Sequence, residues 1–84
     1  MILNEEVINQ IKELIDINEL KMVTITDVAN NLGISSARAH IILLEMEIKG
    51  ILKRYESPVR IRVYTWWRLN EIGTQNGKLE TISQ

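Results

Sequence analysis

The sequence of 84 residues contains no cysteine, no phenylalanine, one proline and one histidine. Without cysteine the chain has neither a disulfide framework nor a thiolate metal site, and the single His40 excludes a multi-histidine site. The longest aliphatic run, from Ile41 to Leu44, is far shorter than the ~20 residues of a membrane span. Residues 1–6 lack the basic start of a signal peptide. We therefore expect a cytoplasmic protein that is not associated with a membrane.

Catalytic patterns are also missing. A chain of this length forms one small domain, which leaves little room for a catalytic cleft. The carboxylates fall at predicted helix caps and exposed faces, and there is no Ser/His/Asp order, glycine-rich phosphate loop or metal-ligand cluster. We expect no enzymatic activity, no catalytic residue, no metal site, no cofactor and no small-molecule substrate.

Charge is distributed unevenly along the chain, although the formal net charge is only −1. Residues 1–37 carry two lysines and six carboxylates, a net charge of −4, whereas residues 38–68 carry seven basic and three acidic side chains, a net charge of +4. Residues 69–84 add a net charge of −1. This pattern favours a chain with one side facing a polyanion. Ordinary solvated strands and turns are the alternative.

Apolar residues at helical spacing predict three helices in the first fifty residues. Asn4 is a good N-cap for the first helix, and Ser35 is one for the third. Thr24 and Asp27 form an approximate capping box for the second helix, which we expect Gly33 to end because glycine readily adopts a positive φ. The expected bounds of the helices are residues 5–18, 25–32 and 36–49.

The third predicted helix, which ends at Gly50, carries two apolar stripes on opposite faces. The predicted core stripe consists of Ala39, Ile42, Leu43 and Met46. The second stripe consists of Ala37, Ile41, Leu44 and Ile48. A helix, a glycine turn and a second helix are typical of a helix-turn-helix, in which the face opposite the core enters the major groove.

After the third helix the apolar period changes to two, which predicts a β-hairpin. We expect a first strand with Ile51, Leu52 and Tyr55, a turn at residues 56–58 and a second strand over residues 60–69. Alternation predicts a core face and a basic, aromatic face in the second strand. The core face contains Ile61, Val63, Thr65, Trp67 and Leu69, and the other contains Arg60, Arg62, Tyr64, Trp66 and Arg68.

The predicted fold class is mainly α with a small β-hairpin: a winged helix-turn-helix of three helices plus a wing. A plain three-helix bundle with a loose C-terminal ribbon is the alternative. Residues 1–70 form the predicted domain. Residues 71–84 are polar and aperiodic, so we expect a mobile tail there.

Three segments resemble the small PapI/FaeA-type fimbrial operon regulators of enteric bacteria: residues 26–35, residues 39–54 and the strand that ends in residues 65–69. The matching positions are Ala39, Leu43, Leu44, Met46, Glu47, Gly50, Arg54 and the ending Thr65, Trp66, Trp67, Leu69. Arg38 and His40 stand where members of that family often have Gln and Arg. Ala37, Ile41 and Ile42 stand in place of aromatic residues. These departures affect the DNA sequence preference rather than the fold.

The resemblance implies a DNA-binding transcriptional co-regulator of a fimbrial operon. Such proteins act on double-stranded DNA with a leucine-responsive regulatory protein, at GATC-containing promoter sites, in phase variation. We expect a monomer on the nucleoid, because the sequence has no evident long dimerisation helix. A winged-helix protein-interaction module without specific DNA binding is the alternative function.

The candidate DNA-binding residues lie on the third helix and the wing: Ser36, Ala37, Arg38, His40, Ile41, Lys53, Arg54, Arg60 and Arg62. Arg38 suits a guanine edge, His40 is an imidazole donor, and the apolar side chains suit thymine methyl groups. The alternatives are a solvated or Glu45-paired Arg38 and an exposed His40 without a role.

The candidate partner-binding residues are Leu44 and Ile48 on the helix and Tyr64 and Trp66 on the wing. For the helix pair the alternative is packing under the wing. For the wing pair the alternative is that the rings only cover a face of the sheet.

Overall fold

A computed structural model describes residues 3–59 and 62–70 of the chain. Three helices precede a two-stranded antiparallel sheet, which confirms the predicted fold class of a winged helix. The elements are α1 (Glu5–Ile17), α2 (Ile25–Leu32), α3 (Ser36–Ile48), β1 (Leu52–Val59) and β2 (Arg62–Leu69). The predicted helix bounds differ from these by one residue, at the ends of α1 and α3. The expected mobile tail lies outside the described residues, and no described helix combines the length and apolarity needed to cross a bilayer.

Each helix begins at the predicted cap. The Asn4 side chain accepts a backbone N–H of α1 at 2.9 Å, and Ser35 Oγ accepts one of α3 at 3.2 Å. The Asp27 N–H donates to Thr24 Oγ1 at 3.2 Å while the Thr24 N–H donates to Asp27 Oδ2 at 3.1 Å, a complete capping box. These bonds satisfy donors that the first turn of a helix leaves unpaired.

Gly33 and Gly50 follow the last turns of α2 and α3 with positive φ angles of 67° and 82°. Beyond each glycine the chain bonds back to the helix. The Ile34 N–H donates to the oxygen of Ala29 at 3.0 Å, and the Ile51 N–H donates to a carbonyl of α3 at 2.9 Å. These bonds are typical of the glycine-terminated helix motif. The prediction that the two glycines end the helices is confirmed.

We expect Gly50→Ala to lower the free energy of unfolding by roughly 1–2 kcal/mol, because a residue with a Cβ is strained in the left-handed region. Steric clash plays no part, since no heavy atom lies within 4 Å of an added Cβ. Urea denaturation followed by circular dichroism measures the loss. The matched control is Lys49→Ala, at an ordinary helical φ of −77°, which should change little. Equal stability of the Gly50→Ala protein and the parent would contradict the role assigned to this turn.

The core lies between the helices and one face of the hairpin. The predicted core stripe of α3 is buried. Trp67 is fully buried with a relative exposure of 0%. Its backbone forms an antiparallel β-bridge with Val23. The nitrogen of Trp67 lies 2.9 Å from the oxygen of Val23, and the nitrogen of Val23 lies 3.0 Å from the oxygen of Trp67. The segment between α1 and α2 therefore pairs with β2 and encloses the core.

The register of the hairpin defines two faces, because directly opposed residues project to the same side of an antiparallel sheet. The inner face consists of the pairs Leu52 with Leu69, Arg54 with Trp67, Glu56 with Thr65, and Pro58 with Val63. It packs on the helices at the end that contains Leu52 and Trp67. The outer face carries the pairs Lys53 with Arg68, Tyr55 with Trp66, and Ser57 with Tyr64. Burial of Trp67 and partial exposure of Trp66 confirm the predicted alternation.

Two predictions for the wing are wrong. The turn expected at residues 56–58 lies within β1, where Glu56 opposes Thr65 and Pro58 opposes Val63. Both strands of a two-stranded sheet are edge strands, which tolerate a proline. Val63 was expected in the core but is 60% exposed, because the described helices do not cover that end of the hairpin. Residues 60 and 61 lie outside the described residues.

Candidate nucleic-acid interface

The first half of α3 brings together five predicted DNA-binding residues. The side chains of Ser36, Ala37, Arg38, His40 and Ile41 are all exposed, and that of Ile41 is 60% exposed. They begin directly after the cap at the N-terminus of the second helix of the helix-turn-helix. The His40 ring contacts the Trp67 ring of β2. Because the five side chains are exposed, the outward face of this half of α3 is open to a ligand.

Arg38 and His40 have different surroundings. No ion pair joins Arg38 to Glu45 or to another carboxylate within residues 3–59 and 62–70. The His40 ring meets the Trp67 ring edge to face, with 6.1 Å between centroids and 62° between planes. Arg38 is therefore available to an external acceptor, whereas His40 lies on the side of α3 that approaches the wing.

Glu47 connects α3 to the inner face of the wing. Its Oε1 accepts the indole N–H of Trp67 at 3.1 Å and lies 3.7 Å from Nε of Arg54. A second carboxylate, Glu56, lies 3.9 Å from the same guanidinium. These two carboxylates reduce the positive charge that Arg54, itself 41% exposed, offers to an external anion. This network connects the hairpin to α3 through the side chains of Glu47, Trp67 and Arg54.

The sequence prediction missed Glu47 as a positioning residue. Its signal was present: Glu47 is one of two carboxylates in the mostly apolar second half of α3, and its position matches the family pattern. The partner Trp67 is 20 residues away, so only the pairing of the hairpin reveals the contact.

The predicted wing cations do not share one surface. Arg54 lies on the inner face, while its neighbour Lys53 opposes Arg68 on the outer face. Arg62 opposes Val59, in phase with the outer face, and its side chain is exposed. Arg60 lies outside the described residues. The wing therefore carries cations on both faces, whereas the sequence pattern predicted a single basic face.

The aromatic residues of the wing form a stack on the outer face. The rings of Tyr55 and Trp66 lie 6.0 Å apart and within 11° of parallel. Lys53 Nζ and Arg68 Cζ lie 5.7 and 5.9 Å from the Tyr55 centroid, within the range of a cation–π contact. Tyr64 continues this face and is 53% exposed. Tyr64 and Trp66 thus belong to an accessible aromatic and basic surface.

The two predicted partner-binding residues of α3 differ in how far they are buried. Leu44 is half-buried, but Ile48 is 84% exposed, so packing under the wing is wrong for Ile48. The reason is its place on the helix: Ile48 lies opposite the core stripe, whereas the wing meets α3 at Glu47. The second apolar stripe therefore ends in an uncovered aliphatic side chain.

Metal ligation has no site among the described residues. No group of three His, Cys, Asp or Glu side chains is close enough there to hold an ion. Two of the carboxylates near α3, Glu47 and Glu56, are engaged with Arg54. The surface offers exposed side-chain donors, cations and apolar groups, which suit recognition of a macromolecule.

Comparison with known proteins agrees with the motifs. A family model described as FaeA-like protein matches residues 3–71. This span contains the three helices and two strands described above. No curated protein and no solved structure matches the chain significantly. The resemblance identified from the sequence is confirmed, and its span coincides closely with the predicted domain.

Proposed function

Since the chain belongs to the FaeA-like family, a family of fimbrial operon regulators, we propose that it is a DNA-binding transcriptional co-regulator of a fimbrial operon. It binds double-stranded DNA at promoter sites that contain GATC and acts there with a leucine-responsive regulatory protein in phase variation. It has no enzymatic activity and needs no cofactor. Binding to promoter DNA places the monomer on the nucleoid.

The observation that carries this proposal is the exposed first half of α3 behind the glycine turn at Gly33. A helix-turn-helix protein lays this face in the major groove, where the N-terminal residues of the helix meet base edges. Arg38 supplies the paired donors that suit guanine O6 and N7. Ala37 and Ile41 supply apolar groups of the kind that contact thymine methyl groups.

Secondary contacts follow from the same docking. Ser36 is exposed near the helix N-terminus, where hydroxyl and backbone N–H groups suit a phosphate. His40 lies on the wing side of α3 and donates to a base or to the adjacent backbone. Arg62, at the beginning of β2, contacts a phosphate, and Arg60 supplies a second phosphate contact.

A mobility-shift titration on fimbrial promoter DNA tests the proposal. The matched control is a duplex of equal length and composition in which GATC is scrambled. We expect a sequence-dependent complex that is strengthened when the leucine-responsive protein is present. Equal affinity for both duplexes, with and without that protein, would instead favour the protein-interaction module, for which the exposed Ile41 and Ile48 are the supporting observation.

Substitutions at Arg38 and Arg62 should separate base contacts from phosphate contacts. We expect Arg38→Ala to cost about 1–3 kcal/mol of binding free energy at particular base pairs while sparing non-specific binding. We expect Arg62→Ala to weaken binding to all sequences and to lower the salt slope by roughly one unit. Titrations of specific and scrambled duplexes over a range of salt concentrations measure both effects. If Arg38→Ala weakens both duplexes equally, Arg38 is a phosphate contact.

A further inference from the structure

A cleft of about 410 Å³ lies between the C-terminal part of α1 and the outer face of the wing. Its polar wall includes Asp16, Lys21, Lys53, Arg68 and Asn70, beside the ring of Tyr55. The side chains that contact α3 lie on the inner face of the same hairpin. The cleft therefore opens on the side of the wing away from the recognition helix, and the proposed DNA interface does not use it.

Two cations in this cleft lie at positions where their mutual repulsion lowers the stability of the fold. Lys53 and Arg68 oppose each other directly across the hairpin, and like charges in such a pair are destabilising. Neither forms an ion pair within the described part of the chain. Both approach the single ring of Tyr55. Two neighbouring positive charges that lack an ion pair among the described residues form an arrangement that an external anion stabilises.

Lys21 contributes less to this positive charge. Its Nζ donates to the backbone oxygen of Asp16 and lies 3.7 Å from the Asp16 carboxylate. The backbone of Lys21 is held at a positive φ of 56°, which keeps the side chain at the end of α1. Asp16 and Lys21 thus form one wall of the cleft, while Lys53 and Arg68 form its anion-binding part.

We propose that this cleft binds an acidic segment of a protein partner. A carboxylate of the segment lies between Lys53 and Arg68, and an apolar side chain rests against Leu69, which also lines the cleft. Charge-assisted hydrogen bonds to a carboxylate are the strong ones at such a surface. This site goes beyond the proposed function, because it does not depend on which DNA sequence α3 recognises.

The charge around the cleft favours a short acidic segment over a nucleic acid. The Asp16 carboxylate lies in the wall of the cleft. It repels the broad phosphate surface of a duplex, whereas a single carboxylate can bind at the Lys53 and Arg68 pair. The Tyr55 ring is already stacked on Trp66 and approached by both cations. Little ring surface remains for a nucleobase.

Heteronuclear NMR of the full chain tests this proposal with a short synthetic peptide of alternating glutamate and leucine. Trp66 carries an indole N–H on the outer face, whereas the Trp67 indole is buried and bonded to Glu47. We expect the peptide to shift the Trp66 indole signal and the backbone signals of Lys53 and Arg68. The Trp67 indole signal should remain in place, which also reports that the fold is intact.

Variants locate the contact. We expect Lys53→Gln and Arg68→Gln each to weaken peptide binding about tenfold, the effect of losing one charged hydrogen bond. Lys53→Arg should retain binding. The matched control is Lys12→Gln, an exposed residue of α1 outside the cleft, which should bind the peptide as the parent does.

Three results would overturn the proposal. The first is equal binding of a control peptide in which glutamine replaces glutamate. The second is an unchanged Trp66 indole signal at saturating peptide. The third is displacement of the peptide by a non-specific DNA duplex that shifts the same outer-face signals, which would make this surface a nucleic-acid contact. Each result leaves the DNA titrations of α3 unaffected, so this proposal and the proposed function fail separately.

Discussion

Replacing Trp67 with alanine is expected to lower the free energy of unfolding by about 3–5 kcal/mol, the range for truncating a large buried aromatic residue. Trp67 is among the largest fully buried side chains. Its loss leaves a cavity against α3 and removes the donor that satisfies Glu47. Small domains are only marginally stable, so a loss of this size leaves a large part of the protein unfolded at body temperature.

The adjacent tryptophan is the matched control. Trp66 lies on the outer face, is half-buried and stacks on Tyr55. We expect Trp66→Ala to cost about 1 kcal/mol, the value of an aromatic pair at a partly exposed site. Urea denaturation of both variants gives the two losses. Equal losses, or a larger loss at Trp66, would contradict the assignment of Trp67 to the inner face.

The parts of the fold that were predictable from the sequence depend on local interactions. The bonds that cap the helices join residues three apart, as in Thr24 with Asp27. The positive φ of Gly33 is likewise local, because it is required only by the turn that this residue forms. The core stripe of α3 follows from helical periodicity alone. Such features require no knowledge of what the segment packs against, so the sequence pattern contains them.

The parts that were missed depend on contacts between distant segments. Pro58 is typical of a turn, and only its pairing with Val63 shows that β1 continues through it. Lys53 and Arg54 are adjacent in the sequence, and only the pairing of Arg54 with Trp67 shows which of the two lies on the inner face. The contact of Glu47 with Trp67 spans 20 residues. Each of these features is set by the register of the hairpin, which the sequence alone determined incompletely.

The local and distant features together explain how the candidate interface is held. The cap and glycine turn orient α3, and the network of Glu47 with Trp67 and Arg54 connects that helix to the wing. The connection uses the charge of Arg54, which otherwise would attract phosphate. The helix and the wing are therefore joined by side-chain contacts, and Arg54 offers less positive charge to the DNA that we propose as the ligand.

Binding of this protein alone to its promoter site is expected to be weak, and the leucine-responsive regulatory protein is expected to strengthen it by ~10²-fold or more. One recognition helix reads only a few base pairs. Arg54 is compensated by two carboxylates, and residues 1–37 carry a net charge of −4, so phosphate attraction is limited. A second contact, to a protein already on the DNA, makes binding nearly intramolecular.

Mobility-shift titrations at physiological salt, with and without the partner at a saturating concentration, measure this gain. Ile48→Ser is an informative variant, because Ile48 is 84% exposed and the change should leave the fold intact. If the second apolar stripe of α3 contacts the partner, this variant lowers the gain while binding alone is unchanged. Lys12→Gln serves as a surface control that preserves both. The prediction would be contradicted if the protein alone bound its site with nanomolar affinity and sequence specificity, and the partner did not improve this binding. One helix and a few cations would then be sufficient for tight binding.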